Sequence, residues 1–366
     1  MRRRELLAAT GATLAATLAG YTESGLASTG EGAADEDAAE NSLAALVPDD
    51  ATLLLGVDAE AQDDPETERL LDALTDGTTP RRRLEDETGL DPEEADELLA
   101  FTTPADESAS SREGSTPSDD ATPEDDSAPE DDSTAAITLT PDGRAALAVG
   151  GLDTSAHASG VLVRGDWTDQ QVRQATEESA DGSVTETEYD GTTVVVLEEG
   201  PQTTWLAHLE EGFVVGDRAA VEAVIDVASG SREAVGGPLL SAYRGVRGDA
   251  HVRFAAVEVD AYATGRMLLR AARGIETVAG GYYTPEDHAG LALTMTATDE
   301  IRAWTLKRQL ELGLDVAKKD AKESVAAELR RVSVERDGDV VRTTYEGDVA
   351  DVETVIEELE GDAEHP

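Results

Sequence analysis

The 366-residue chain contains no cysteine, three Phe, three Trp and one Asn, Asn41. The missing thiols exclude disulfide staples, thiolate-held zinc or iron–sulfur clusters and cysteine nucleophiles. Asn41 lies in Asn-Ser-Leu, which is not a glycosylation sequon. Positive charge is scarce too: 29 Lys plus Arg face 79 Asp plus Glu, a formal net charge of −50. Binding to nucleic acid needs a clustered basic surface and is not expected. The histidines, His157, His208, His251, His288 and His365, show no zinc-binding spacing, and His208 and His251 read as ordinary strand residues. There is no Gly-x-Ser-x-Gly elbow, no phosphate-cradling Gly-x-x-x-x-Gly-Lys and no dinucleotide fingerprint after a strand. No catalytic, cofactor-binding or metal-ligating residue is therefore assigned. Carboxylate pairs are so abundant that choosing two as acid and base would be arbitrary.

Acid is what the chain has in surplus. Its only lysines are Lys307, Lys318, Lys319 and Lys322, every other basic residue is Arg, and 33 Gly with many Ala replace bulky apolar residues. This profile resembles the proteins of extremely halophilic archaea. A carboxylate-dense surface stays hydrated in molar salt, where the Debye length is about 3 Å and self-repulsion is screened. Salt cations are then held non-specifically. The competing reading of the charge is an acidic ligand mimic.

Arg2, Arg3 and Arg4 precede an apolar stretch from Leu6 to Gly20, after which the chain turns polar and acidic. This start resembles a twin-arginine export signal. The stretch is short and rich in Ala, Gly and Thr, whereas a spanning helix needs about 20 strongly apolar residues. Its end, Leu18-Ala19-Gly20, resembles a lipoprotein box, but Tyr21 stands where the box requires Cys, and a phenol cannot form the lipid-bearing thioether. Cleavage near Ala19 or Ala27 would release the protein, and retention of the segment would leave it at the membrane. Both readings make it exported.

Composition divides the remainder. The expected organisation is a signal segment (1–27), an acidic linker (28–44), a first lobe (45–236) holding an acidic insert (102–134), a second lobe (237–361) and a tail (362–366). The insert repeats Pro-Glu-Asp-Asp and Pro-Ser-Asp-Asp units and cannot bury enough apolar surface to offset about 1–2 kcal/mol of backbone entropy per residue. It is expected to be disordered. Strands are expected at 51–58, 135–139, 144–150 and 160–164, and helices at 65–74, from Asp91-Pro92-Glu93-Glu94 onward, at 169–179 and at 219–228. Hairpins are expected around Asp190-Gly191 and over 203–216.

The second half replays this programme. Gly216-Asp217 through Val224-Ile225 matches Gly347-Asp348 through Val355-Ile356 at Gly, Asp, Ala, Val, Glu, Val and Ile. Each copy follows a hairpin with an Asp-Gly turn, Asp190-Gly191 or Asp337-Gly338. Asp50 to Asp58 parallels Asp249 to Asp260, and each is followed by a segment carrying Arg69-Leu70-Leu71 or Arg266-Met267-Leu268-Leu269. The expectation is an α+β fold of two related lobes, mixed or antiparallel sheet with flanking helices. Three motifs carry a family resemblance: Val47-Pro48-Asp49-Asp50-Ala51 before the strand ending in Val57-Asp58, Thr88 to Pro92, and Val214-Val215-Gly216-Asp217. Over roughly residues 45–360, minus the insert, the chain resembles a haloarchaeal, twin-arginine-exported, lipoprotein-like family of extracytoplasmic proteins of unknown function. The resemblance implies a mixed α+β fold and supplies no catalytic residues.

Two basic features stand out. Arg266, Arg270 and Arg273 recur at i, i+4 and i+7 on an expected helix, with Tyr262 one turn earlier. Residues 302–331 hold eight Lys plus Arg against five acids, and all four lysines lie there. Tyr262, Arg266, Arg270, Arg273, Lys318, Lys319 and Lys322 are thus candidate contacts for an anion or partner, against the alternative of internal pairing. An envelope protein, an acidic glycan or lipid headgroups fit such contacts, and a membrane also enters if the signal is retained. The functional expectation is a non-enzymatic binding or structural module of the cell envelope or exterior. The alternatives are a secreted hydrolase with carboxylate chemistry and a solute-capturing protein.

Overall fold

The computed structural model describes residues 42–58, 90, 94–104, 136–139, 145–148, 157–179, 182–199, 202–248, 250–258, 274–284 and 288–348. The signal segment, the expected helix at 65–74, residues 91–93, most of the acidic insert, and Tyr262, Arg266, Arg270 and Arg273 lie outside them, as does the second half of the repeat after Asp348.

The described residues form fourteen strands. The first seven are β1 (Leu53–Asp58), β2 (Ala95–Pro104), β3 (Ala136–Leu139), β4 (Ala145–Ala148), β5 (His157–Gly165), β6 (Ser183–Tyr189) and β7 (Thr192–Glu199). Then come β8 (Gln202–Leu209), β9 (Gly212–Gly216), β10 (Val252–Val257), β11 (Ile275–Tyr283), β12 (His288–Ala297), β13 (Ser333–Asp337) and β14 (Val340–Asp348). β3 and β4 pair only with each other. The other twelve make one sheet in the order β13-β14-β12-β11-β10-β1-β2-β5-β9-β8-β7-β6. All its ladders are antiparallel. The helices are α1 (Asp169–Ser179), α2 (Arg218–Ala228), α3 (Gly237–Arg244), α4 (Glu300–Asp320) and α5 (Glu323–Leu329). The fold is therefore antiparallel α+β, and the two expected lobes share a single sheet, joined where β1 pairs with β10.

Outward from that joint, the two halves repeat one order. β1, β2, β5, β9 and β8 on one side correspond to β10, β11, β12, β14 and β13 on the other. The matched Gly-Asp pairs fall at equivalent points. Gly216 lies opposite Gly160, and Asp217 accepts the Ser159 amide at 2.9 Å; Gly347 lies opposite Ala289, and Asp348 sits 3.6 Å from His288 Nε2. A methyl group on Gly216 would run into the Ser159 carbonyl oxygen, so the close approach requires glycine. The paired Asp-Gly turns are not equivalent, however. The counterpart of the β13–β14 hairpin is β8–β9, which turns through Glu210-Glu211, and β6–β7 is an additional hairpin. Asp190 and Gly191 adopt φ 46° and 81°, the turn geometry that suits the twist of a two-residue hairpin.

A second expectation fails at β2. The sequence pattern asks for a helix beginning near Asp91 and a disordered segment from Thr102, yet Ala95–Pro104 is a strand laddered on both sides, to β1 and β5. Helix propensity distinguishes Ala, Glu and Leu from strand formers by tenths of a kcal/mol per residue. Burying Leu98, Leu99 and Phe101 in the sheet contributes about 1.5–3 kcal/mol each, which decides the contest.

Both faces of the sheet are packed. Leu54, Leu99, Phe101, Leu162 and Val214 meet α2, α3 and the turn Leu43–Leu46. The opposite face packs Leu98, Val163 and Phe213 with Val172 of α1, and Leu291, Leu293 and Met295 with Ala303 and Leu306 of α4. Val252 touches both of these latter clusters, which places α1 and α4 on the same side.

Candidate functional site

α4 starts cleanly because Asp299 caps it, its carboxylate accepting the Arg302 amide at 2.8 Å. Ala303, Leu306, Leu310, Leu314 and Ala317 follow at i, i+3, i+7, i+11 and i+14 and face the sheet and α5. Off that stripe stand Ile301, Trp304 and Leu312, exposed by 78%, 56% and 65%. They are the large apolar side chains exposed among the described residues, and all three lie on this one helix. Sequence reasoning missed them, although the core stripe was readable and leaves Ile301 and Leu312 on the outer face.

The basic segment resolves into two kinds of residue. Lys307 and Arg308 both reach Glu311, at 3.6 and 3.7 Å, while Arg330 pairs with Glu323 and Arg331 with Glu328, each at 3.1 Å. All of these pairs are made within the segment itself. Lys318 and Lys319, in the last turn of α4, make no ion pair among the described residues, and there they complement the helix dipole. Lys322 is the N-cap residue of α5. Lys318 and Lys319 are thus brought onto the helix that carries the apolar ridge.

A second feature is an open cleft of about 580 Å³ at the start of α1, lined among others by Trp167, Asp169, His208, Glu210, Glu211 and Phe213. Local sequence builds it. Thr168 and Gln171 form a reciprocal capping box: the Thr168 amide donates to Gln171 Oε1 at 2.9 Å and the Gln171 amide donates to Thr168 Oγ1 at 3.3 Å. Trp167 is buried edge-on against Phe213, with centroids 5.6 Å apart, and its indole N–H has no hydrogen-bond partner. His208 Nδ1 lies 3.1 Å from Asp169 Oδ1. His208 is in a strand, as its pattern indicates, but it is 37% exposed and its partner comes from a helix. The carboxylates of Asp169, Glu210 and Glu211 suit a polar or cationic solute rather than an anion. Among the described residues, no group of three His, Asp or Glu is arranged to hold a metal ion.

A third cluster crosses the middle of the sheet. Glu97 on β2 lies between Asp58 on β1 and Arg164 on β5 and is bonded to Arg164 at 2.9 Å. Burial pushes the Glu97 carboxyl above its ordinary value of 4.5, against the opposing pull of Arg164. Burial also pushes the Tyr243 phenol of α3 up to about 12.

No described helix is long and apolar enough to cross a membrane. No protein-family model matches the chain, and no curated protein sequence does. Among solved structures it is similar to crystal forms III, I and IV of TP0453, at 8% identity in each case. The matches cover 85%, 87% and 85% of this chain and 96%, 97% and 95% of that one, with TM-scores of 0.45, 0.43 and 0.44.

Proposed function

We propose that the chain is an exported, non-enzymatic interaction module of the cell envelope or its exterior, adapted to brine and akin to the haloarchaeal family its motifs resemble. One observation carries the reading: the exposed Ile301, Trp304 and Leu312 share α4 with Lys318 and Lys319, on a chain whose net charge is −50. An apolar patch rimmed by charge is what a docking surface presents to a partner, whereas an enzyme gathers converging polar groups in a recess. In molar salt, charges act only at contact, so an interface there must rely on apolar burial. The Arg2-Arg3-Arg4 start supports export.

Fractionation of a halophilic host tests both parts. Replacing Arg2 and Arg3 by Lys should leave the protein in the cytoplasm. Combining Ile301→Ser, Trp304→Ser and Leu312→Ser should leave export intact and shift the protein from the envelope fraction to the medium. Unchanged partition of the triple variant would refute the interaction surface. A second reading, capture of a polar solute in the α1 cleft, rests on the His208–Asp169 pair and the unpartnered Trp167 indole. It predicts a rise in melting temperature with the solute, abolished by His208→Ala.

A further inference from the structure

We propose that the outer ridge of α4 docks the protein onto an anionic lipid bilayer, an inference that rests on α4 being the interaction surface and names its partner. The argument is a coincidence of two chemistries. Every lysine of the chain lies on α4 or at the N-cap of α5, and every exposed large apolar side chain among the described residues lies on α4. Tryptophan prefers the headgroup level of a bilayer, aliphatic side chains the acyl boundary just below it, and lysine stems extend along apolar surface to place an ammonium among phosphates. Trp304, Ile301 with Leu312, and Lys318 with Lys319 supply these three in one 21-residue helix.

Charge complementarity selects the class of partner, and apolar volume narrows it. An acidic glycan offers anions to the lysines but no hydrocarbon to Ile301 and Leu312. An acidic protein surface like this chain's own exposes few large apolar groups. A bilayer of anionic lipid offers both. The repulsion of the −50 chain from such a bilayer is confined by molar salt to about 3 Å, so only the groups at the contact count. The opposite face of α4 is committed to the core through Ala303, Leu306 and Ala317, so the helix can dock without leaving the fold.

Co-flotation of the full chain with phosphatidylglycerol or phosphatidylcholine vesicles in molar KCl tests the proposal. Binding through the start of the chain, Arg2 to Gly20, is common to all variants, so the readout is the difference between variants on the same lipid. Wild type should prefer the phosphatidylglycerol vesicles. Trp304→Ser should weaken that binding by roughly tenfold or more, as expected for losing one large apolar contact, while Trp304→Tyr retains most of it. Lys318→Gln with Lys319→Gln should remove the preference for the anionic lipid. Because Trp304 and Lys319 are exposed and the half-buried Lys318 makes no ion pair among the described residues, the variants should melt with the wild type, which separates docking from misfolding. Equal binding to both lipids by wild type, or binding unaffected by Trp304→Ser, would overturn the proposal. So would a dimer in sedimentation that Trp304→Ser dissolves while vesicles are ignored, since the occupant would then be a second copy. If the triple ridge variant leaves the envelope fraction but wild type does not float with vesicles, the lipid assignment is lost and the interaction surface stands.

Discussion

Replacing Tyr345 by Phe removes a single oxygen from the second half of the sheet, and the structure fixes what that oxygen does. Tyr345 on β14 is fully buried, and its hydroxyl donates to Glu328 Oε2 on α5 at 2.7 Å. Glu328 is itself buried, and the same oxygen lies 3.1 Å from Arg331. The bond therefore ties α5 to the sheet through a largely buried carboxylate. A hydrogen bond to a charged group is worth about 1.5–3 kcal/mol, and losing the donor leaves a buried acceptor less satisfied. For a domain of this size each kcal/mol moves the melting temperature by about 2–4 °C, so Tyr345→Phe should lower it by about 3 to 12 °C in molar KCl. Glu328→Ala alone removes the same bond from its other end, together with the pair to Arg331, and the double variant should lose less than the sum of the two single losses. Strictly additive losses, or a Tyr345→Phe melt indistinguishable from wild type, would show that the bond does not hold α5 in solution.

Two further outcomes are expected. Raising KCl from roughly 0.1 M to 1 M shortens the screening length from about 10 Å to about 3 Å, so thermal melts should rise steeply over that range; a flat series would remove the solvation role of the acidic coat. The raised carboxyl of Glu97 contributes stability that is fully present below its unfolded value near 4.5 and is lost as pH rises through the folded value. The melting difference between wild type and Glu97→Gln should therefore favour wild type most in acid and decline toward neutrality. A difference that grows with pH would mean that the bond to Arg164 outweighs burial.

What was legible in the sequence was what local chemistry decides. The start of α1 follows from Trp167-Thr168-Asp169, and the β6–β7 hairpin from Tyr189-Asp190-Gly191, because caps and turns are written in consecutive residues. Strand β2 was not legible, since its identity comes from ladders to β1 and β5 that only the folded chain supplies. The joining of the lobes was hidden for the same reason, as Leu53 finds its partner Ala256 across most of the chain. At the candidate site, the cluster of lysines was visible from composition, but the apolar ridge was not extracted. It shows only when the core stripe of α4 is subtracted from its other faces. The cleft depended on a strand residue, His208, meeting a helix residue, Asp169, which spacing does not encode.

The common strand order of the two halves locates what each has added. Between β5 and β8 the first half inserts the eleven-residue α1 and the hairpin β6–β7; between β12 and β13 the second half has the 21-residue α4 and the short α5. The cleft opens at the start of α1, and the ridge runs along α4, so both candidate surfaces sit on the elements that differ between halves. The strand order common to the two halves depends on its ladders and on the Gly-Asp strand ends. The helix above the sheet gives only its inner face to the core, through Ala303, Leu306 and Ala317, and can turn its outward face to a partner. In a chain with a net charge of −50, α4 holds three of the four lysines together with Trp304, a concentration that its packing against the sheet does not require.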